Sequence, residues 1–223
     1  MYFINSYCRI NASRVSLNGK IIFDSKQQQF ATDDFLNALY KHLNIDYRKF
    51  YKMDLLTKLG FLASELLLKG IDREQPKQDM GIIFFNRSSS LEADKSFQAT
   101  IQRPSDFFPS PAEFVYTLPN IVIGEIAIRN KIYGETAFYV LKNFYSDTIN
   151  TTIEDTIFAA GLKCVLAGWI EVNVSENKQD CFMALCSSKQ GDKNNSCLPA
   201  GFEHVYAGEQ FSLKNDLNDL YNY

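Results

Sequence analysis

The chain has 223 residues, 46% of them apolar and 22% charged, and carries a net charge of −3. That balance excludes a disordered chain, and the length fits one sizeable domain or two small ones. No Lys/Arg run offers the clustered positive charge that phosphates need, and no apolar run reaches the ~18–20 residues that cross a bilayer, so neither nucleic acid nor a membrane is an expected partner. The start, MYFINSYCRINASRV, lacks a basic segment followed by a long apolar core; it reads as a first strand rather than a signal peptide, and a cytoplasmic location is expected.

Residues 2–10 form that strand, and 14–23 a hairpin-like excursion turning at Asn18-Gly19. Thr32-Asp33-Asp34 is expected to cap a helix carrying Phe35, Leu36, Leu39 and Tyr40 on one side. Across 46–70, Tyr51, Leu55, Leu59, Leu62 and Leu66 recur at helical spacing, Lys58 and Glu65 read as solvated face residues, and Gly70 is placed to end the helix. The run MGIIFF at 80–85 suits a strand buried on both faces, and Asn86-Arg87-Ser88-Ser89-Ser90 leads from it into a helix. Ser110-Pro111-Ala112-Glu113 is a helix start with a capping box, and Pro119 is expected to kink or restart that helix before Asn120. Thr136–Leu141 is strand-like, Asp147–Ala160 is a helix ended by Gly161, and Lys163–Val174 and Cys181–Ser187 are two strands joined by a polar turn. Residues 188–200 are turn-rich, and a short helix is expected after Glu209.

The five cysteines, Cys8, Cys164, Cys181, Cys186 and Cys197, are irregularly spaced and include no C-x-x-C, so reduced thiols are the default and neither zinc nor disulfide chemistry is supported. With two histidines, His42 and His204, a His-rich metal site is excluded. No G-x-S-x-G elbow, P-loop or dinucleotide fingerprint is present, and no cofactor or metal is expected. Ser88-Ser89-Ser90 offers an anion site at a helix start, but a serine-rich cap is the simpler account. Cys164, in KCVLAGW, reads as an inert core thiol.

The stretch from Pro109 to Trp169 resembles the middle of the β-ketoacyl-acyl-carrier-protein synthases. Asn120, Gly124, Ala127 and Ile128 match that family's N-x-x-x-G-x-x-[AS]-I helix, and Gly134-Glu135-Thr136 opens the following strand. In the family's register the nucleophilic Cys, at the mouth of the next helix, falls on Asn143. An amide nitrogen is delocalised and has no thiolate-like state, so the resemblance implies the fold without the condensing chemistry. It also implies the architecture: one domain over 1–223, with a core of about 1–187 and a C-terminal extension at 188–223. The fold class is then α/β, half of a thiolase-like fold, with a mixed, mostly parallel sheet flanked by helices and a C-terminal antiparallel strand pair.

The helix after Asn143 gives separate evidence. Ile149, Ile153 and Ile157 form one stripe, with Thr148, Asn150, Thr151, Glu154 and Asp155 opposite, which describes a surface helix rather than one packed on both sides. No catalytic residue is assigned. Asn143, Phe107, Phe108, Asn120 and Gly124 are candidates for acyl or partner binding. Against these stand plainer readings: Asn143 capping the next helix, Phe107 and Phe108 anchoring a loop, Asn120 satisfying a backbone group, Gly124 permitting close helix packing. Thr136, Phe138, Tyr139 and Val140 lie on an uncharged strand that, by the resemblance, pairs with a counterpart in a dimer. The expected role is a non-catalytic accessory protein of fatty-acid- or polyketide-type synthesis, partnered by an acyl carrier protein or a ketosynthase subunit in a homo- or heterodimer. The rivals are an acyltransferase that is active only with a partner or uses a residue other than Cys, and a stand-alone binding domain.

Overall fold

The computed structural model describes residues 1–11, 13–25, 31–102, 104–175 and 178–189. The expectations for Cys197, His204 and a helix after Glu209 fall outside these. An antiparallel meander opens the chain: β1 (Phe3–Asn11), β2 (Arg14–Leu17) and β3 (Lys20–Asp24). Asn18 and Gly19, at φ 50° and 77°, close the second hairpin in the doubly positive turn that matches strand twist.

Next come α1 (Thr32–His42) and α2 (Leu55–Leu67). The N-cap of α1 is Ala31, with no side-chain cap bond; Thr32 is the first helical residue, buried, and Asp33 and Asp34 face the helix dipole from the first turn. The helix expected across 46–70 is broken by a 3₁₀ turn at Arg48–Lys52, and Asp54 then caps α2, accepting from Thr57 N at 3.0 Å. Twelve of the thirteen α2 residues are buried, because α2 lies between the sheet and helices on its outer side. Lys58 and Glu65 are therefore not solvated. Lys58 Nζ pairs with Asp33 and lies 5.5 Å from the Phe50 ring centre; Glu65 accepts from Arg129 at 2.8 and 2.9 Å and from Arg73 at 2.9 Å.

The wholly buried β4 (Met80–Asn86) is followed by α3 (Leu91–Ile101), α4 (Pro111–Val115) and α5 (Ile121–Asn130). Ser110 caps α4 through Glu113 N at 3.3 Å, but its own amide turns to Thr100 Oγ1, so the capping box is half made. Then come β5 (Thr136–Val140), α6 (Ser146–Ala159), β6 (Cys164–Asn173) and β7 (Lys178–Ser187). Gly161, at φ 66°, follows α6.

The seven strands form one mixed sheet in the order β3-β2-β1-β7-β6-β4-β5, flanked by helices. Its balance corrects the expectation of a mostly parallel sheet: β4 pairs parallel with β5 and β6, and the other four pairings are antiparallel. Parallel neighbours need long crossovers, here the helical ones from β4 to β5 and from β5 to β6; β1–β2, β2–β3 and β6–β7 are too close in sequence for that and run antiparallel, and β7 also returns antiparallel to β1. One core joins α1, α2 and α5 to the sheet; the second, on the opposite face, takes Ile149, Ile153 and Ile157 of α6 against Ile83, Val165 and Trp169. Each of those three isoleucines contributes about 1.5–3 kcal/mol on burial. Thr148, Thr151 and Asp155 of α6 are exposed, as the stripe requires of a surface helix.

Candidate functional site

The crossover from α5 to β5 leaves a groove of about 470 Å³ between them, lined by Pro119, Asn120, Ile123, Gly124, Ala127, Thr136, Ala137 and Phe138. It brings together four candidates that lie apart in sequence: Asn120 and Gly124 on the helix, Thr136 and Phe138 on the strand. Asn120 is exposed and makes no side-chain cap bond, so its amide is not consumed by the backbone. Gly124 does not serve close internal packing: a Cβ built there meets nothing within 4 Å. The close approach of α2 and α5 occurs instead at Gly60, where a Cβ would lie 2.5 Å from Val122 Cγ2.

Among the described residues β5 forms one rim of the sheet and pairs with β4 alone. Ile82 N donates to Glu135 O at 3.0 Å, and Leu141 N to Asn86 O at 2.8 Å. Backbone direction alternates along a strand, so Ala137 and Tyr139 also turn their amides to β4, while Thr136, Phe138 and Val140 turn theirs to the open side. Tyr139 thus differs from the other three residues of the expected pairing strand. Its half-exposed ring stacks at 5.4 Å on Phe85.

Asn143 lies in the loop from β5 to α6, outside the groove. It is exposed, and its Nδ2 donates weakly to Tyr145 Oη at 3.4 Å. It does not cap α6, whose N-cap is Tyr145 with no side-chain cap bond. Phe107 and Phe108 are 62% and 78% exposed. The packing in that segment is made by Phe97 and Phe114, 5.2 Å apart.

Every described cysteine stands on a strand, away from helix mouths: Cys8 on β1, Cys164 on β6, Cys181 and Cys186 on β7. Burial pushes the Cys164 thiol up to about 11 and raises Cys181 and Cys186 strongly, which suppresses the thiolate. No group of His, Cys, Asp and Glu among the described residues is arranged to hold a metal.

Sequence reasoning missed two polar constructions. Glu65 with Arg129 and Arg73 ties α2 to α5, and Arg129 lies 4.4 Å over the Tyr47 ring. The available signal was a lone carboxylate inside the apolar run LASELLL, which demands a partner once buried. The second is Glu171, whose carboxylate accepts from Arg87 N at 2.8 Å and from Ser88 Oγ. The protein's own carboxylate thus takes up the donors weighed as an anion site at Ser88-Ser89-Ser90. Burial, the largest influence, raises the Glu171 pKa, and these bonds oppose it.

No family model and no curated protein matches the sequence. Solved structures do match. The ishigamide ketosynthase/chain length factor superposes with a TM-score of 0.57 at 15% identity, over 86% of this chain and 63% of that one. The chain has the fold of the ketosynthases. A β-ketoacyl synthase from Burkholderia phymatum STM815 gives a TM-score of 0.56 at 11% identity, over 93% of this chain and 60% of its own length. The ketosynthase-like chain therefore spans less than two thirds of either neighbour. Among its described residues no helix is long and apolar enough to cross a membrane.

Proposed function

We propose that this chain is a non-catalytic β-ketoacyl-synthase-like accessory protein for fatty-acid- or polyketide-type acyl-chain synthesis, working with a ketosynthase subunit or an acyl carrier protein in the manner of a chain length factor. Its fold is the ground for the pathway. The observation that carries the accessory role is the mouth of α6, where the family's nucleophile is expected: it bears Asn143, exposed and held by one 3.4 Å bond. An amide offers no acyl nucleophile there, and burial of the described thiols on strands supplies no substitute. The open edge of β5 is the pairing surface, for a second copy or for a ketosynthase of the same fold.

Incubation with acyl- and malonyl-loaded carrier protein tests the reading. The expected result is no ketoacyl product from the chain alone, together with co-purification of a ketosynthase or carrier protein from its native host. Product formation that Asn143→Ala abolishes would establish an enzyme using a residue other than Cys and overturn the accessory role.

A further inference from the structure

We infer that the excursion between β4 and α5 is a preformed docking face for an amphipathic helix of another protein, one that flanks its apolar side chains with Lys and Arg. The face belongs to α3, α4 and the loop between them, and it goes beyond the accessory reading, which does not require it.

α3 buries only Ala93, and α4 buries none of its five residues. Phe107, Phe108, Phe114, Val115 and Leu118 stand between 47% and 78% exposed. Their backbone is nonetheless held. Phe108 N donates to Thr100 O at 2.9 Å, Ser110 N to Thr100 Oγ1 at 3.4 Å, Thr117 N to Phe114 O at 3.1 Å, and Ser90 Oγ to Thr117 O at 2.6 Å. Thr100 and Phe97 lie one turn apart on α3, and the Phe97 and Phe114 rings are 5.2 Å apart, so Phe108 and Phe114 adjoin the same turn of α3. Hydrogen bonds thus fix a segment whose large apolar side chains remain in water. Clustered exposure of this kind marks an interaction surface, which single exposed apolar residues do not.

Charge selects the occupant. Lys95 is tied to Glu92 at 2.9 Å, and Glu92 also accepts from Val174 N at 3.4 Å. Asp94, one turn before Phe97, and Glu113, next to Phe114, are exposed and enter none of the ion pairs among the described residues. Negative charge therefore accompanies the aromatic rings. Two copies placed face to face would set like charges together, and an anionic bilayer would be repelled by the same carboxylates. A helix with Lys or Arg beside Leu or Phe meets both features: its apolar side chains bury against Phe108 and Phe114, and its cations pair with Asp94 and Glu113. The same carboxylates disfavour an acidic partner at this face.

Fluorescence anisotropy with a labelled amphipathic Leu/Lys peptide of about 14 residues tests the face. Wild type is expected to bind it. Phe108→Asp, at a 78% exposed position, is expected to bind roughly 30-fold more weakly with unchanged far-UV circular dichroism. The double variant Asp94→Lys, Glu113→Lys is expected to bind about tenfold more weakly at ~50 mM salt and to lose the salt dependence that wild type shows up to ~500 mM. A peptide with Glu in place of every Lys is expected not to bind. No binding by wild type, or equal binding of the Leu/Lys peptide by Phe108→Asp, would overturn the proposal, as would equal binding of the Glu peptide by wild type. Should Phe108→Asp unfold, the double variant decides alone: binding as tight as wild type overturns the charge-matched helix. Flotation of wild type with phosphatidylcholine vesicles, lost in Phe108→Asp, would assign the face to lipid instead. A sedimentation coefficient lowered by Phe108→Asp would assign it to a second copy.

Discussion

At one rim of the sheet, β3 runs Lys-Ile-Ile-Phe-Asp, with a charge at each end, a register shift between Val15 and Ser16 in its partner, and Arg14 bonded to Asp24 across the ladder. At the other, β5 runs Thr-Ala-Phe-Tyr-Val, with no charge and a regular parallel pairing to β4. The first carries the devices by which proteins discourage edge-to-edge association, and the second carries none of them. The difference extends inward: α5 beside β5 presents Ile128 and an open Gly124, and the groove lies between them. One rim carries features that end the sheet; the other, on the proposed reading, is the surface that a partner completes.

Removing what ties α5 to α2 is the most damaging expected change. Glu65→Ala leaves Arg129 half-buried without its bidentate partner and is expected to cost about 3–5 kcal/mol in urea unfolding. Asp24→Ala, at the β3 rim, removes a 3.3 Å pair that is partly solvated and is expected to cost under ~1 kcal/mol. Equal losses would remove the distinction between the two rims.

A proline on each edge sharpens the contrast. Phe138→Pro removes an outward donor from β5 and is expected to weaken association by at least ~100-fold, about 3 kcal/mol. Ile21 sits opposite Ser16, one step from the Leu17–Lys20 pair that closes the hairpin, so its amide faces the free side of β3. Ile21→Pro is expected to change association by less than about 2-fold, within the ±0.5 kcal/mol typical of surface sites.

Much of this was legible in sequence where one periodicity settles one element. Ile149, Ile153 and Ile157 gave α6 and its exposed side, and MGIIFF gave a strand buried on both faces. Features set by neighbours were not legible. The solvation of Lys58 and Glu65 depends on α1 and α5 covering α2, which no local pattern records. The antiparallel balance arises because β7 returns to pair with β1 across most of the chain length. Tyr139 looked equivalent to Phe138 and Val140, yet which of them faces the open side depends on the β4 register. The groove likewise needed three dimensions, since Asn120 and Phe138 belong to different elements.

Thiol chemistry separates the rims from the sheet interior. With the Cys164 pKa raised to about 11 from an ordinary 9, its thiolate fraction at pH 8 falls about 100-fold, so native alkylation should be slow and rise about tenfold per pH unit toward 11. Fast stoichiometric labelling of Cys8, Cys164, Cys181 or Cys186 at neutral pH would restore a nucleophile to the protein. The smallest effect belongs to Asn143→Ala: one weak exposed bond is lost, and stability should stay within about ±0.5 kcal/mol.

Amide hydrogen exchange at Thr136, Phe138 and Val140, followed by dilution from high to low protein concentration, reads the open edge directly. Pairing at β5 predicts protection of these three amides at high concentration, lost on dilution, while the amide of Ile21 on β3 exchanges freely throughout. Free exchange of Phe138 at every concentration, with or without a ketosynthase present, would contradict β5 as the pairing surface.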